Sequence, residues 1–184
     1  MKQKIKTIDS LLRTVEPRRR AGSTLVFTNG CFDLLHIGHV RYLQQAKQFG
    51  DMLVVGVNSD ASVKQLNKGP GRPIIPDAQR AEIVAALECV DFVVIFDEPD
   101  PLSVVQALTP DVLVKGGDWP LDRIIGRDHV ENHGGRVYAI PLIPDISTSR
   151  IIDRIMQEHA AVSDATEHDH SHPMKSLSAQ ESLP

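Results

Sequence analysis

The chain holds two cysteines, Cys31 and Cys89, in 184 residues. They lie far apart and without CxxC spacing, which excludes a disulfide framework and fits reduced thiols in the cytoplasm. No apolar run approaches the ~20 residues of a membrane span, so no membrane association is expected. Met1-Lys2-Gln3-Lys4-Ile5-Lys6 carries charge but no apolar stretch follows it, so it is not a secretory leader. A basic face is also lacking. The net charge is −4, which argues against nucleic acid as a partner.

What is present is an ordinary globular composition, 41% hydrophobic and 24% charged, in a chain long enough for one self-sufficient core. The charge is unevenly placed. Residues 1–20 hold seven Lys/Arg against two acids, and residues 157–184 hold five acids against one Lys. Arg18-Arg19-Arg20 sits where a helix gives way to a strand, and a solvated turn accounts for it.

Ile8, Leu11, Leu12 and Val15 have the spacing of a short amphipathic helix, with Pro17 ending it. Strands are expected at 25–28, 52–57, 92–96, 111–114 and 136–140, and helices at 38–49, 77–88, 101–108, 121–132 and 148–158. Leu53-Val54-Val55 and Phe92-Val93-Val94-Ile95 are short continuous apolar runs, as in a parallel sheet covered on both faces. Alternating strand and helix therefore predict a doubly wound α/β domain with a five-stranded parallel sheet. Residues 67–76, rich in Pro and Gly, form a loop. The predicted organisation is a basic helical leader at 1–20, the domain at 21–160, and a tail at 161–184 too polar to offset its ordering entropy.

The most informative segment is Thr28-Asn29-Gly30-Cys31-Phe32-Asp33-Leu34-Leu35-His36-Ile37-Gly38-His39. It reads as a strand end, a glycine turn and a helix start. That geometry aims backbone N–H groups and a positive helix end at phosphate. His36 and His39, three apart, face the same volume. A closed zinc site needs about four ligands, and no partner at suitable spacing is near, so phosphate is favoured and no metal ligand is assigned.

This segment, from Phe27 to His39, resembles the signature of the cytidylyltransferase-like nucleotidylyltransferases, marked by an HxGH pair. Asn58-Ser59-Asp60, Val114-Lys115-Gly116-Gly117-Asp118-Trp119 and Ile146-Ser147-Thr148-Ser149-Arg150-Ile151 narrow the likeness to the D-glycero-β-D-manno-heptose 1-phosphate adenylyltransferases of bacterial lipopolysaccharide-core synthesis. The likeness covers roughly residues 5 to 156. It implies a Rossmann-like nucleotidylyltransferase fold with strand order 3-2-1-4-5, which puts the ends of strands one, four and five side by side.

The resemblance implies transfer of AMP from ATP to a heptose 1-phosphate, with Mg²⁺ as cofactor and pyrophosphate leaving. Catalytic candidates are His36, His39, Lys47 and Arg80. Nucleotide candidates are Thr28, Asn29, Gly30, Cys31, Phe32, both histidines, Lys115, Gly116, Gly117, Asp118, Ser147, Thr148 and Ser149. Substrate candidates are Asp33, Asn58, Asp60, Arg72, Arg80 and Trp119. Several of these residues also have plainer readings. Asp33 could orient the loop, bind hydroxyls or help hold Mg²⁺; Lys47 could reach back to a phosphate or be a surface lysine. Arg80 and Arg72 could be surface arginines, Cys31 a small turn residue, and Ser147, Thr148 and Ser149 helix caps. His129 and His133 fit a solvated helix end.

The domain of this family is often fused to a sugar kinase. A separate kinase is expected to supply the sugar 1-phosphate here, and a homo-oligomer is the expected assembly. The rival activities are a cytidylyltransferase acting on glycerol 3-phosphate or another phospho-alcohol, and a silent nucleotide-binding assembly subunit.

Overall fold

The computed structural model describes residues 2–117, 120–141 and 143–169, without the side chains of 2, 121 and 160–169. Strands β1 (Leu25–Gly30), β2 (Met52–Asn58), β3 (Phe92–Phe96), β4 (Val112–Gly116) and β5 (Arg136–Ile140) pair in parallel in the order β3-β2-β1-β4-β5. Side chains alternate across a strand, and here both sides are apolar. Leu25 and Phe27 join one cluster with Met52, Val54 and Leu113, while Val26 joins the other with Leu53, Val55 and Val114.

Helices cover both clusters. Helices α1 (Ile8–Arg20), α5 (Leu102–Leu108) and α6 (Arg127–Asn132) supply Leu11, Val105 and Val130 to the first. Helices α2 (Ile37–Lys47) and α4 (Asp77–Ala85) supply Leu43, Ala46 and Val84 to the second. The short α3 (Asp60–Gln65) follows β2, and α7 spans Thr148–Asp169. The chain winds outward from β1 to β3 and then crosses back to β4. The switch point therefore lies between β1 and β4, where open α/β sheets bind ligands beyond the carboxyl ends of strands.

The opposite edge of the sheet is closed by aspartates, each standing one residue before a strand. Asp51 and Asp111 accept the Thr24 and Leu25 amides at 2.8 and 2.7 Å, and Asp91 accepts that of Leu53 at 2.7 Å. Arg19 bridges Asp111 and the carbonyls of Leu108 and Thr109, each at 3.0 Å.

Several expectations are corrected. Residues 1–20 are not a separate leader, because Leu11 and Val15 are core and Ile5 forms a parallel bridge to Val93 on the outer side of β3. Pro17 does not end α1. The anchored Arg19, and Arg18 lying 5.6 Å over the Phe92 ring, hold the last turn in place. Helix 121–132 is broken: a 3-10 turn at Leu121–Arg123 is separated from α6 by Gly126, whose φ of 91° no helix interior accepts. Helix α3 was not anticipated; Ser59 caps it by accepting the Ser62 amide.

The chain forms two compact units, 1–148 and 149–184. Order was not expected beyond 160, yet α7 continues to Asp169. Ala160, Ala161 and Ala165 are strong helix formers, and extending an existing helix adds one hydrogen bond per residue fixed. Residues 170–184 of the expected tail lie outside the described residues.

Candidate active site

Strand β1 delivers Asn29 and Gly30 to the switch point. Two non-glycine residues in left-handed conformation follow, Phe32 and Leu34, both at φ 50°. Each such residue costs about 1–3 kcal/mol and persists only where the surroundings over-determine it. The turn brings His36 to the N-cap of α2. There the His36 and His39 rings stack, centroids 3.8 Å apart and 21° from parallel. Gly38 makes this possible, since a Cβ would lie 2.9 Å from both His36 Nδ1 and Ile146 Cγ2.

The His36 backbone N–H lies 3.4 Å from His39 Nδ1, which leaves His39 Nε2 to carry the ring proton. Burial, followed by repulsion from His36, lowers the His39 pKa to about 4, with Asp33 opposing. Burial also lowers that of His36, whose Nδ1 is buried without a hydrogen-bond partner. Both rings are thus neutral N–H donors at neutral pH in the ligand-free protein.

Across the switch point, Lys115 Nζ donates to Asn29 Oδ1 at 3.2 Å. Burial pulls its pKa down; the Cys31 thiol opposes this and the nearby Lys68 adds to it. Asn29, Asn58, Lys68, Asp100, Lys115 and Arg123 line a cavity of about 320 Å³ at these strand ends. Lys68 and Arg123 were not among the sequence candidates. Lys68 stands in the Pro/Gly loop between α3 and α4, the same loop that made Arg72 a candidate. Nothing in the sequence pointed to Arg123.

The other candidates fall into distinct groups. Gly116 ends β4, and the Gly117 amide donates to Ile140 O at 2.9 Å, which continues the β4–β5 pairing at the carboxyl ends of these strands. Cys31 and Phe32 lie on the histidine loop, the Phe32 ring 5.4 Å from that of His39. Thr28 is turned inward, bonded to Tyr42, whose hydroxyl donates to Val114 O. Thr148, the last residue of the first unit, donates to Asp33 O of the histidine loop at 2.6 Å. Ser147 precedes it, and Ser149 opens the second unit. Asp118 and Trp119 lie outside the described residues.

Four charged candidates bind one another rather than open space. Asp33, 1% exposed, accepts Arg72 Nε at 2.6 Å and the amides of Ile74 and Ile75 at 3.0 Å. Asp33 thereby joins the histidine loop to residues 72–75. Burial opposes its ionisation, but those amides and Arg72 outweigh it and hold the pKa low. Arg80 is fully buried and donates to Ile75 O, Cys31 O and Asp60 Oδ1, so it is no surface arginine. Asp60 also accepts the Asp77 amide. Lys47 is corrected outright. Its ammonium binds Asp91 Oδ2 at 2.6 Å and Asp51 O at 2.5 Å, at the edge of the sheet away from the histidines.

The sequence pattern of the cytidylyltransferase-like family matches residues 27–154. The chain belongs to this family. Among its cytidylyltransferase-like relatives, the bifunctional protein HldE of Syntrophotalea carbinolica is 54% identical over 156 residues, 85% of this chain and 32% of that one. Its namesake in Geotalea uraniireducens is 57% identical over 152 residues, 83% and 31% respectively. The chain thus spans about a third of the length of the curated relatives it matches. A solved lipopolysaccharide core biosynthesis protein of Thermoplasma volcanium shares 30% identity at a TM-score of 0.56, covering 66% of this chain and 98% of that one. Pantoate–β-alanine ligase of Francisella tularensis, 16% identical at a TM-score of 0.52 over 74% of this chain and 66% of that one, shares the fold.

Proposed function

We propose that the chain transfers AMP from ATP to D-glycero-β-D-manno-heptose 1-phosphate, making ADP-heptose for lipopolysaccharide-core synthesis. The carrying observation is the stacked His36–His39 pair at the head of α2, on the loop that follows β1, whose Asn29 accepts from Lys115. The HldE relatives and the Thermoplasma protein, named for lipopolysaccharide core biosynthesis, support the choice of pathway.

In this reaction a phosphate oxygen of the sugar attacks the α-phosphorus of ATP, and the bond to pyrophosphate breaks. The acceptor is already anionic, its second pKa lying near ~6, so no general base is required. The work is positioning and charge stabilisation. The two imidazole N–H groups, the first amides of α2 and Lys115 meet the phosphates. As the polyanion arrives it raises the histidines' depressed pKa values, strengthening both donors. The 320 Å³ cavity takes the sugar phosphate, with Lys68, Lys115 and Arg123 for its charge and Asn58 and Asp100 for its hydroxyls.

Mg²⁺ belongs to this reading as the charge neutraliser of the triphosphate. Among the described residues no three His, Cys, Asp or Glu side chains cluster as a metal site, and Asp33 is turned to Arg72. The described residues therefore do not form a cage for the ion, and it would be carried by the nucleotide's own oxygens.

A sugar kinase must supply the acceptor, and the cytoplasm, with its ATP and reducing poise, suits the two free thiols. No described helix is long and apolar enough to cross a membrane. The test is pyrophosphate release across a panel of nucleotides and sugar phosphates. ATP with the heptose 1-phosphate should give the highest kcat/KM. Equal or better use of CTP would replace this reading with a cytidylyltransferase, and no turnover would leave the silent subunit.

A further inference from the structure

Residues 67–76 leave the end of α3 and return to α4 as an arch. At its tip Gly69 and Gly71 take φ values of 108° and 74°, and a Cβ on either would meet nothing within 4 Å. A second cavity of about 630 Å³ opens between the arch and Val63 and Lys64 of α3. Lys68, on the rising limb, borders both cavities, and its charge bears on Cys31 and Lys115. The tip is therefore held away from the body, and the falling limb is where the arch is tied.

That tie is made by one carboxylate. Asp33 takes the Arg72 guanidinium and the Ile74 and Ile75 amides, while Arg80 takes the Ile75 carbonyl at 2.8 Å. Both members of the ion pair are hidden, with side-chain exposures of 0% and 9%. Stability alone is a poor reason for such a pair, because desolvating two charges offsets most of their attraction. What it supplies is direction. An apolar contact would hold the arch loosely, whereas three donors converging on two oxygens allow one placement. Asp33 also sits between the strained Phe32 and Leu34, three residues before His36. The same side chain therefore fixes the arch relative to the histidine loop.

We propose that Asp33 and Arg72 are positioning residues, a buried bracket that holds the 67–76 arch so that Lys68 meets the phosphate of the acceptor. Neither touches substrate. This rests on reading the smaller cavity as the acceptor side of an adenylyl transfer.

A kinetic cycle separates this role from a merely structural one. Lys68→Ala, Arg72→Ala and the double variant are compared by steady-state kinetics with ATP and the sugar 1-phosphate. Each single change should raise the acceptor KM about tenfold, the effect of one lost charge-assisted hydrogen bond, and leave the ATP KM within about twofold. The double variant should be no worse than Lys68→Ala, because Arg72 acts through Lys68. Multiplying losses, or an equal rise in both KM values, would overturn the bracket. Hydrogen exchange supplies a readout that needs no turnover. In Arg72→Ala the Ile74 and Ile75 amides should exchange faster while the strand amides are unchanged. Unaltered exchange at those two amides overturns the proposal. Absence of any wild-type turnover, with faster exchange in the variant, would instead overturn the adenylyl-transfer reading and leave the bracket standing.

Discussion

The two edges of the sheet are built on opposite principles. At the amino edge charges are answered in pairs: Asp51, Asp91 and Asp111 accept the amides of Thr24, Leu53 and Leu25, and Lys47 and Arg19 close on two of those aspartates. At the carboxyl edge Asp33 and Asp60 are paired with Arg72 and Arg80, but other donors and cations are gathered there without a countercharge. His36 Nδ1 is buried and unpartnered, the imidazoles are held neutral, and Lys68 repels Lys115. The first arrangement lowers the energy of the empty protein, while the second leaves an electrostatic gap that a polyanion fills. Stability and function are thereby separated along the length of the same strands.

The separation is most severely tested at the histidines. His36→Ala or His39→Ala should lower kcat by about 10²–10³-fold, the usual effect of losing one preorganised donor, and leave Tm close to wild type. An unchanged kcat in pyrophosphate release would break the contrast.

Acidification probes the same pair without mutation. His39 titrates at about 4 in the folded chain against an ordinary 6.5. Between those values the unfolded chain binds more protons, so stability is full above about pH 6.5 and declines as pH falls toward 4. The loss is at most about 3 kcal/mol, and less once solvent screening is allowed for. The decline should flatten in His39→Gln when Tm is followed over that range. Conversely, ATP binding near pH 6 should draw protons into the site, seen as a calorimetric heat that changes with buffer.

At the other edge the expected signature reverses. Asp91→Ala strands the Leu53 amide and the Lys47 ammonium, which should cost about 1–3 kcal/mol and lower Tm by several degrees. Its kcat/KM should stay within about twofold of wild type, as should that of Lys47→Ala. A catalytic loss in Lys47→Ala would return that residue to the site. The smallest effect is expected from truncation after Glu158, which should leave Tm and kcat/KM unchanged, since the sequence beyond it is poor in large apolar residues. A marked fall in either would give the end of α7 a role.

The sequence revealed the fold and the histidines but not the bracket, and the reason is physical. Alternating apolar runs and a glycine turn are local patterns, readable within a dozen residues. The strand order came with the family resemblance, not from periodicity. A buried ion pair is different, because its members are chosen by three-dimensional proximity. Asp33 and Arg72 are 39 positions apart, and each alone looks like a residue awaiting substrate. The surface reading of Arg80 failed for the same reason, since full burial of a guanidinium is rare enough that no sequence rule anticipates it. Lys47 failed on direction: eight residues beyond His39, a helix has carried its side chain to the far edge of the sheet.

The N-terminal segment gives the sheet a polarity of growth. Ile5 lies beside Val93, the Lys6 amide donates to Val93 O at 2.9 Å, and Lys4 Nζ binds the carbonyls of Leu87 and Val90 at 3.2 and 2.6 Å. This strap blunts the rim at β3, where exposed strand groups would otherwise template a neighbour. At the opposite rim β5 has no described strand beyond it. Growth of this sheet past β3 would first have to displace this strap, so residues 2–6 set the end of the sheet at that rim.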